Sequence, residues 1–110
     1  MKTIPAEIQP ILSQFKKSVQ EMYGDRLVKL LLYGSYARGD YDKESDIDML
    51  VVLKDEHYSP FTERTILSAL MMDLVYNYNY LLVPKPIKEG KFYDPDSIFL
   101  YFVKKDAIEI

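Results

Sequence analysis

Two apolar runs, Leu27–Tyr33 (LVKLLLY) and Asp46–Leu53 (DIDMLVVL), dominate the first half of the chain and are joined by residues 34–45. Each has the length of a β-strand. Beyond its two aspartates the second run is almost wholly apolar, so it predicts a strand covered on both faces. Residues 34–45 (GSYARGDYDKES) mix Gly, Tyr, Asp, Lys and Ser, the makings of a turn, one short helical turn and a loop. A tight turn at Gly34 therefore leaves one strand, and the pair Asp46 and Asp48 opens the next.

The flanking segments supply the covering layers. Apolar residues at Ile8, Ile11, Leu12, Phe15, Val19 and Met22 recur in steps of three and four, which predicts a helix over residues 5–23. Pro5 suits its first turn and Gly24 its C-terminal cap. Ser59-Pro60 opens a second helix, with a core stripe of Leu67, Leu70, Met71, Leu74, Val75 and Tyr78. Tyr80–Ile87 (YLLVPKPI) reads as a third strand, placed at a sheet edge by its two prolines. Asp94-Pro95 starts a short helix to about Val103, and Ala107–Ile110 forms a last strand. The whole is one α+β domain, residues 1–110, with a small mixed sheet and helices packed on it.

Composition narrows the function classes. The net charge of −3 gives no electrostatic case for DNA. Without cysteine there is no disulfide framework, thiolate metal site or thiol nucleophile. No apolar stretch approaches the roughly 20 residues of a membrane span, and the N-terminal MKTIPAEIQP lacks the apolar core of a signal peptide. A cytoplasmic setting is the plain expectation.

Side chains alternate along a strand, so Asp46 and Asp48 share a face, roughly 6–7 Å apart. Two carboxylates so placed can share one hard cation or bridge two. Mg²⁺ takes oxygen ligands and keeps waters that phosphate oxygens can replace. Gly34 lets the main chain come close to a ligand. Ser35 offers an N–H and a hydroxyl at a helix start, and Arg38 could set a guanidinium against the same phosphates. A surface salt bridge from Arg38 to Asp40 or Asp42 would explain that residue equally well. Either half of the pattern is commonplace alone. At average residue usage the four identities at these offsets arise on the order of once per thousand chains of this length.

The stretch GSYARGDYDKESDIDMLVVL resembles the DNA polymerase beta-like nucleotidyltransferase superfamily, and in particular its minimal single-domain prokaryotic group, MNT. The resemblance is specific over residues 27–53. It implies the polymerase beta-like fold, catalytic metal binding at Asp46 and Asp48, and triphosphate binding at Gly34 and Ser35, with Arg38 beside them. It further implies two Mg²⁺ ions, with Mn²⁺ as the alternative. The donor would be ATP or another nucleoside triphosphate. Minimal members are commonly encoded beside a helical HEPN-domain protein, which they adenylylate as an antitoxin. That implies a homo- or hetero-oligomer with a HEPN-type partner or an RNA as acceptor.

Active members of that family add a third carboxylate on a neighbouring strand, and YLLVPKPI has no acid. Asp73 would serve only if MMDLVY were a strand; in a helix it lies about 130° from the core stripe. Glu63 is nearer the stripe, and its role stays open. Two readings follow: an active AMP-transferring enzyme, or a module of the same fold that neutralises a partner by covering it. A glycosyltransferase using Asp-x-Asp would leave Gly34-Ser35 unexplained. The second helix also carries Ala69, Met72 and Tyr76 opposite its core stripe, a face open to a partner. His57, the only histidine, reads as a surface residue. The tyrosines read as packing, and the lysines of the last third as a solvated face.

Overall fold

The computed structural model describes residues 3–110. Met1 and Lys2, part of the expected 1–110 domain and of the segment read for a signal, lie outside the described residues. A 3-10 turn, Ala6–Ile8, leads into α1, Gln9–Tyr23. The regular helix thus starts later than the stripe predicts. Pro5 stays extended before the 3-10 turn, and it is Pro10 that occupies the first turn of α1. Gly24 caps α1 with φ +53. Met22 is exposed and Tyr23 is buried instead, because Tyr23 falls one helical turn after Val19.

After the second 3-10 turn at Gly24–Arg26 come β1 (Leu27–Tyr33), the one-turn helix α2 (Ser35–Arg38) and β2 (Ile47–Leu53). The chain continues through α3 (Pro60–Tyr78), β3 (Leu82–Lys88), α4 (Glu89–Phe92), α5 (Ile98–Asp106) and β4 (Ile108–Glu109). The strands form one sheet in the order β3-β2-β1-β4. β1 runs antiparallel to β2 and to β4, whereas β3 is parallel to β2. The mixed sheet, the helices on it and the edge position of β3 are as the sequence predicts. Pro84 and Pro86 share one parity along β3, so a single side of the strand lacks both donors.

Both faces of β2 are covered. Ile47, Met49, Val51 and Leu53 join Ile8, Phe15, Leu32, Leu67 and Leu74 in a core under α1 and α3. Leu50 and Val52 point the other way, to Leu31, Phe92, Leu100 and Val103 beneath α4 and α5. Asp48 has the parity of Leu50 and lies on the α5 side.

The last third departs from expectation. Asp94 accepts the N–H of Asp96 at 3.0 Å, which spends its side chain on a turn. Ser97 then caps the helix by accepting from the Leu100 N–H at 3.2 Å, so α5 begins at Ile98 and reaches Asp106. The α4 turn was not foreseen.

α3 begins at Pro60 with Ser59 before it, as expected, but the Ser59 hydroxyl makes no capping bond. Glu63 reaches back instead, and its Oε2 accepts the Ser59 N–H at 3.2 Å. The same oxygen pairs with Arg26 Nη2 at 2.9 Å, with Glu63 only 1% exposed. Arg26 also donates to the His57 carbonyl at 3.3 Å, tying the turn before β1 to the turn before α3. Burial, then the Glu63 charge, pushes the Tyr23 hydroxyl well above its usual pKa. Glu63 is therefore a structural anchor. Glu63→Ala should cost about 2 kcal/mol, below the range for a fully buried pair because Arg26 is part-exposed. Chemical denaturation would read the loss, and the nucleotide affinity of the folded fraction should stay the same.

Candidate metal and nucleotide site

The turn that ends β1 is built around Gly34, whose φ of +78 and ψ of −155 suit glycine alone. Space imposes the same choice, since a Cβ on Gly34 would overlap the Asp48 carboxylate. α2 starts at once. Its Ala37 and Arg38 N–H groups bond to the Gly34 carbonyl at 3.1 and 3.0 Å. The N–H groups of Ser35 and Tyr36, at the start of the turn, have no acceptor within the helix. Gly39 ends it in a left-handed conformation with φ +92.

Asp48 is the second residue of β2, opposite Tyr33 on β1 and beside Val83 on β3. Asp46 lies just before the strand and is exposed. The two carboxylates act on each other. Burial raises the Asp48 pKa above the ordinary carboxylate value, the Asp46 charge adds to the rise, and Arg38 partly offsets it. The Tyr33 hydroxyl is pushed up to about 12, by burial first and by the Asp48 charge second. Arg38 sends its Nε to Asp40 Oδ2 at 3.2 Å, on an exposed part of the surface. It thus makes the predicted salt bridge while also acting on Asp48. Asp42 does not pair with Arg38; its Oδ1 accepts the Glu44 N–H at 2.8 Å, and its own N–H bonds to Ser45 Oγ at 2.9 Å.

Gly34, Arg38, Asp46 and Asp48 therefore gather at one end of the sheet, with Ser35 starting α2 beside them. The register shows what stands in the neighbouring positions. Asp48 pairs with Val83 and Leu50 with Lys85, so the β3-side residues level with the carboxylates are Leu81 and Val83, both apolar. Asp73 lies exposed on α3, where its carbonyl and carboxylate accept from Asn77. With Glu63 committed to Arg26 and Ser59, neither candidate supplies a third carboxylate. Among the described residues no group of three or more His, Cys, Asp or Glu could hold a metal ion.

Sequence reasoning missed Tyr33, Phe99 and Phe102. They line a cavity of about 270 Å³ with Gly34, Arg38 and Asp106. Tyr33 meets Phe99 edge-on at 6.0 Å, and Lys85 Nζ sits 5.0 Å from the Phe99 ring centre. Strand parity would have placed Tyr33 and Lys85 on this face, but only once the register was known.

The residues present fit a hard cation. The exposed Asp46 and the half-buried Asp48 repel each other, no sulfur or imidazole competes, and the missing side chain at Gly34 gives the Asp48 carboxylate its place against the turn.

Known proteins share the family and the fold of this chain. The nucleotidyltransferase domain family matches residues 12–109, and the chain belongs to that family. "Putative protein adenylyltransferase MJ0126" of Methanocaldococcus jannaschii is 33% identical over 109 residues, covering 99% of this chain and 95% of that protein. MJ0141 of the same organism, similarly named, is 49% identical over 49 residues, 44% of this chain and 50% of its own length. The chain spans about half the length of the first curated relatives it matches. Among solved structures, a "putative nucleotidyltransferase from Sulfolobus solfataricus" superposes with a TM-score of 0.59 at 22% identity, over 94% of this chain and 80% of that one. A structure described as "the toxin-antitoxin with AMP-PNP" gives a TM-score of 0.59 at 17% identity, over 87% of this chain and 69% of its own. These likenesses place the fold among nucleotidyltransferases. No helix of the described residues is long and apolar enough to cross a membrane.

Asp48 binds its proton more tightly folded than unfolded. Its contribution to stability is therefore complete below the ordinary carboxylate pKa and lost as pH rises through its raised value. At neutral pH the metal-free site carries that loss. Asp48→Asn should raise the thermal midpoint of the metal-free protein at pH 7 by on the order of a few °C. The gain should disappear near pH 3, about where wild-type carboxylates protonate. Calorimetric scans at the two pH values check both statements.

Proposed function

We propose that this chain is a Mg²⁺-dependent nucleotidyltransferase that moves AMP from ATP to a hydroxyl of a partner protein. The observation that carries this reading is the apposition of Gly34 to Asp48. It brings an open backbone turn and a repelling carboxylate pair together at one end of the sheet. Relatives named as protein adenylyltransferases support AMP as the group moved.

In this reading the backbone at Gly34 and Ser35 holds the β- and γ-phosphates, and Arg38 turns its guanidinium from Asp40 toward them. Asp46 and Asp48 hold Mg²⁺, which when bound offsets the phosphate charge and orients the α-phosphate. The acceptor oxygen forms a bond to the α-phosphorus as the bond to the α,β-bridging oxygen breaks. Pyrophosphate leaves with that electron pair, and the hydroxyl proton passes to water. Tyr33, with its raised pKa, stays neutral beside Asp48 and adds no further negative charge.

A HEPN-type helical protein is the partner we favour, in an antitoxin role and a cytoplasmic setting. The structure solved as a toxin–antitoxin with AMP-PNP shares the fold. α3 turns Phe61, Met72 and Tyr76 outward, 79%, 63% and 88% exposed, on a face that a helical partner could cover. A second reading rests on Leu81 and Val83. With no acid there, the chain could hold nucleotide and act by covering its partner without transferring AMP.

The double substitution Asp46→Asn with Asp48→Asn should lower Mg²⁺-dependent ATP affinity at least tenfold, by calorimetry, with the circular dichroism spectrum unchanged. Unaltered ATP binding would refute the site. Incubation with ATP labelled at the α-phosphate, Mg²⁺ and the product of the adjacent gene separates the two readings. Label on the partner favours the enzyme, and a stable unlabelled complex favours the module.

A further inference from the structure

Asp46 borders a second and larger opening that Gly34, Ser35 and Arg38 do not line. A cavity of about 580 Å³ lies beneath the 40–46 loop, and Asp46 reaches its rim. Gly34 and Arg38 belong instead to the 270 Å³ cavity beside α5. Two openings of different character thus meet the site, one at Asp46 and one at Gly34 and Arg38.

The larger cavity is negative. Glu7, Asp42, Glu44 and Asp46 line it against a single cation, Lys43. Burial raises the pKa of the Tyr36 hydroxyl in its wall, and Tyr80, Glu7, Tyr41 and Asp42 each raise it further. Such a field repels a triphosphate and attracts a cation. The walls are also aromatic. Tyr36 stacks on Tyr41 with centroids 4.4 Å apart, and Tyr78 and Tyr80 close the far side. Ring faces add to the attraction for ammonium and guanidinium groups. The loop is braced by the Asp42 N–H, which donates to Ser45 Oγ at 2.9 Å, and by the Glu44 N–H, which donates to Asp42 Oδ1 at 2.8 Å.

We propose that this cavity is the acceptor site, and that it admits a hydroxyl-bearing side chain flanked by Lys or Arg. The proposal rests on the nucleotidyl-transfer reading and goes beyond it by fixing where the acceptor enters and with what charge. In-line displacement needs the incoming oxygen opposite the leaving pyrophosphate. With the phosphates at Gly34 and Arg38, the cavity that Asp46 borders and that neither of those residues lines is the opening left for the incoming oxygen. The acceptor oxygen bonds to the α-phosphorus there, pyrophosphate departs on the Gly34 side with the bridging oxygen's electron pair, and the hydroxyl proton goes to water.

Nuclear magnetic resonance of the ¹⁵N-labelled chain tests this with two probes, acetyl-Lys-Tyr-Lys-amide and acetyl-Glu-Tyr-Glu-amide. Each is titrated with and without Mg²⁺ and α,β-methylene ATP. The cationic peptide should move the amide signals of Tyr41, Ser45, Asn79 and Tyr80, and the nucleotide those of Gly34 and Arg38. At equal concentration the anionic peptide should leave the cavity signals in place. Glu7→Lys with Glu44→Lys should weaken the cationic peptide at least tenfold while the nucleotide shifts persist, which also shows that the variant is folded. The proposal is overturned if the peptides act alike, if neither moves the cavity signals, if charge reversal leaves the affinity unchanged, or if the nucleotide itself fills the cavity. A nucleotide that moves no signal at Gly34 and Arg38 refutes the nucleotidyl-transfer reading instead. The peptide titration without nucleotide then still decides whether the cavity takes a cationic ligand.

Discussion

The site depends on a backbone passing against a carboxylate with no side chain between them. Gly34 and Asp48 are held together by the pairing of Tyr33 with Asp48, the last rung of the β1–β2 ladder before the strands part. That rung sets how far the turn projects and where α2 begins. A residue with a Cβ at position 34 would push the turn off the strand, and the start of α2 would move with it. The charged end is thus fixed by two paired strands, β2 buried at every residue but Asp48 and β1 buried at Leu30, Leu31 and Leu32.

The sheet also sorts the chemistry by parity. Residues facing α1 and α3 make a continuous apolar core, while those facing α5 give way toward the strand ends to Tyr33, Asp48 and Lys85. The polar face is therefore not an exposed surface of the sheet. It is the rim of a second core, which explains why Asp48 is half-buried and why its proton is held tightly. A bound cation would remove the cost of keeping that charge there.

Much of this was legible in the sequence because it depends on local chemistry. The strand at Leu27–Tyr33, the Gly34 turn, the Gly24 cap and the start of α3 follow from residue type within a few positions. The site residues Gly34, Arg38, Asp46 and Asp48 were placed together because the spacing spans one turn between paired strands. What was not legible depends on register and on competition for hydrogen bonds. Nothing local says that Val83 sits beside Asp48, or that Phe99 and Phe102 from α5 would stand over Gly34. The partnership of Glu63 with Arg26 crosses 37 residues, and no periodicity reports it. The helix start at Ser97 rather than Asp94 turned on which N–H the Asp94 side chain would take. The outward apolar face of α3 was visible, because it needs only the helical angle.

The prolines of β3 have a consequence for how such a chain assembles. With Pro84 and Pro86 on one parity, the β3 edge lacks the regular donors that an added strand would need. The other edge, β4, is two residues long. Neither margin of the sheet offers a template for another chain's backbone, so growth into fibrils or strand-exchanged dimers is discouraged from both sides. Association is left to side chains on the helices, where contacts can be made and released without disturbing the strands that hold the carboxylates.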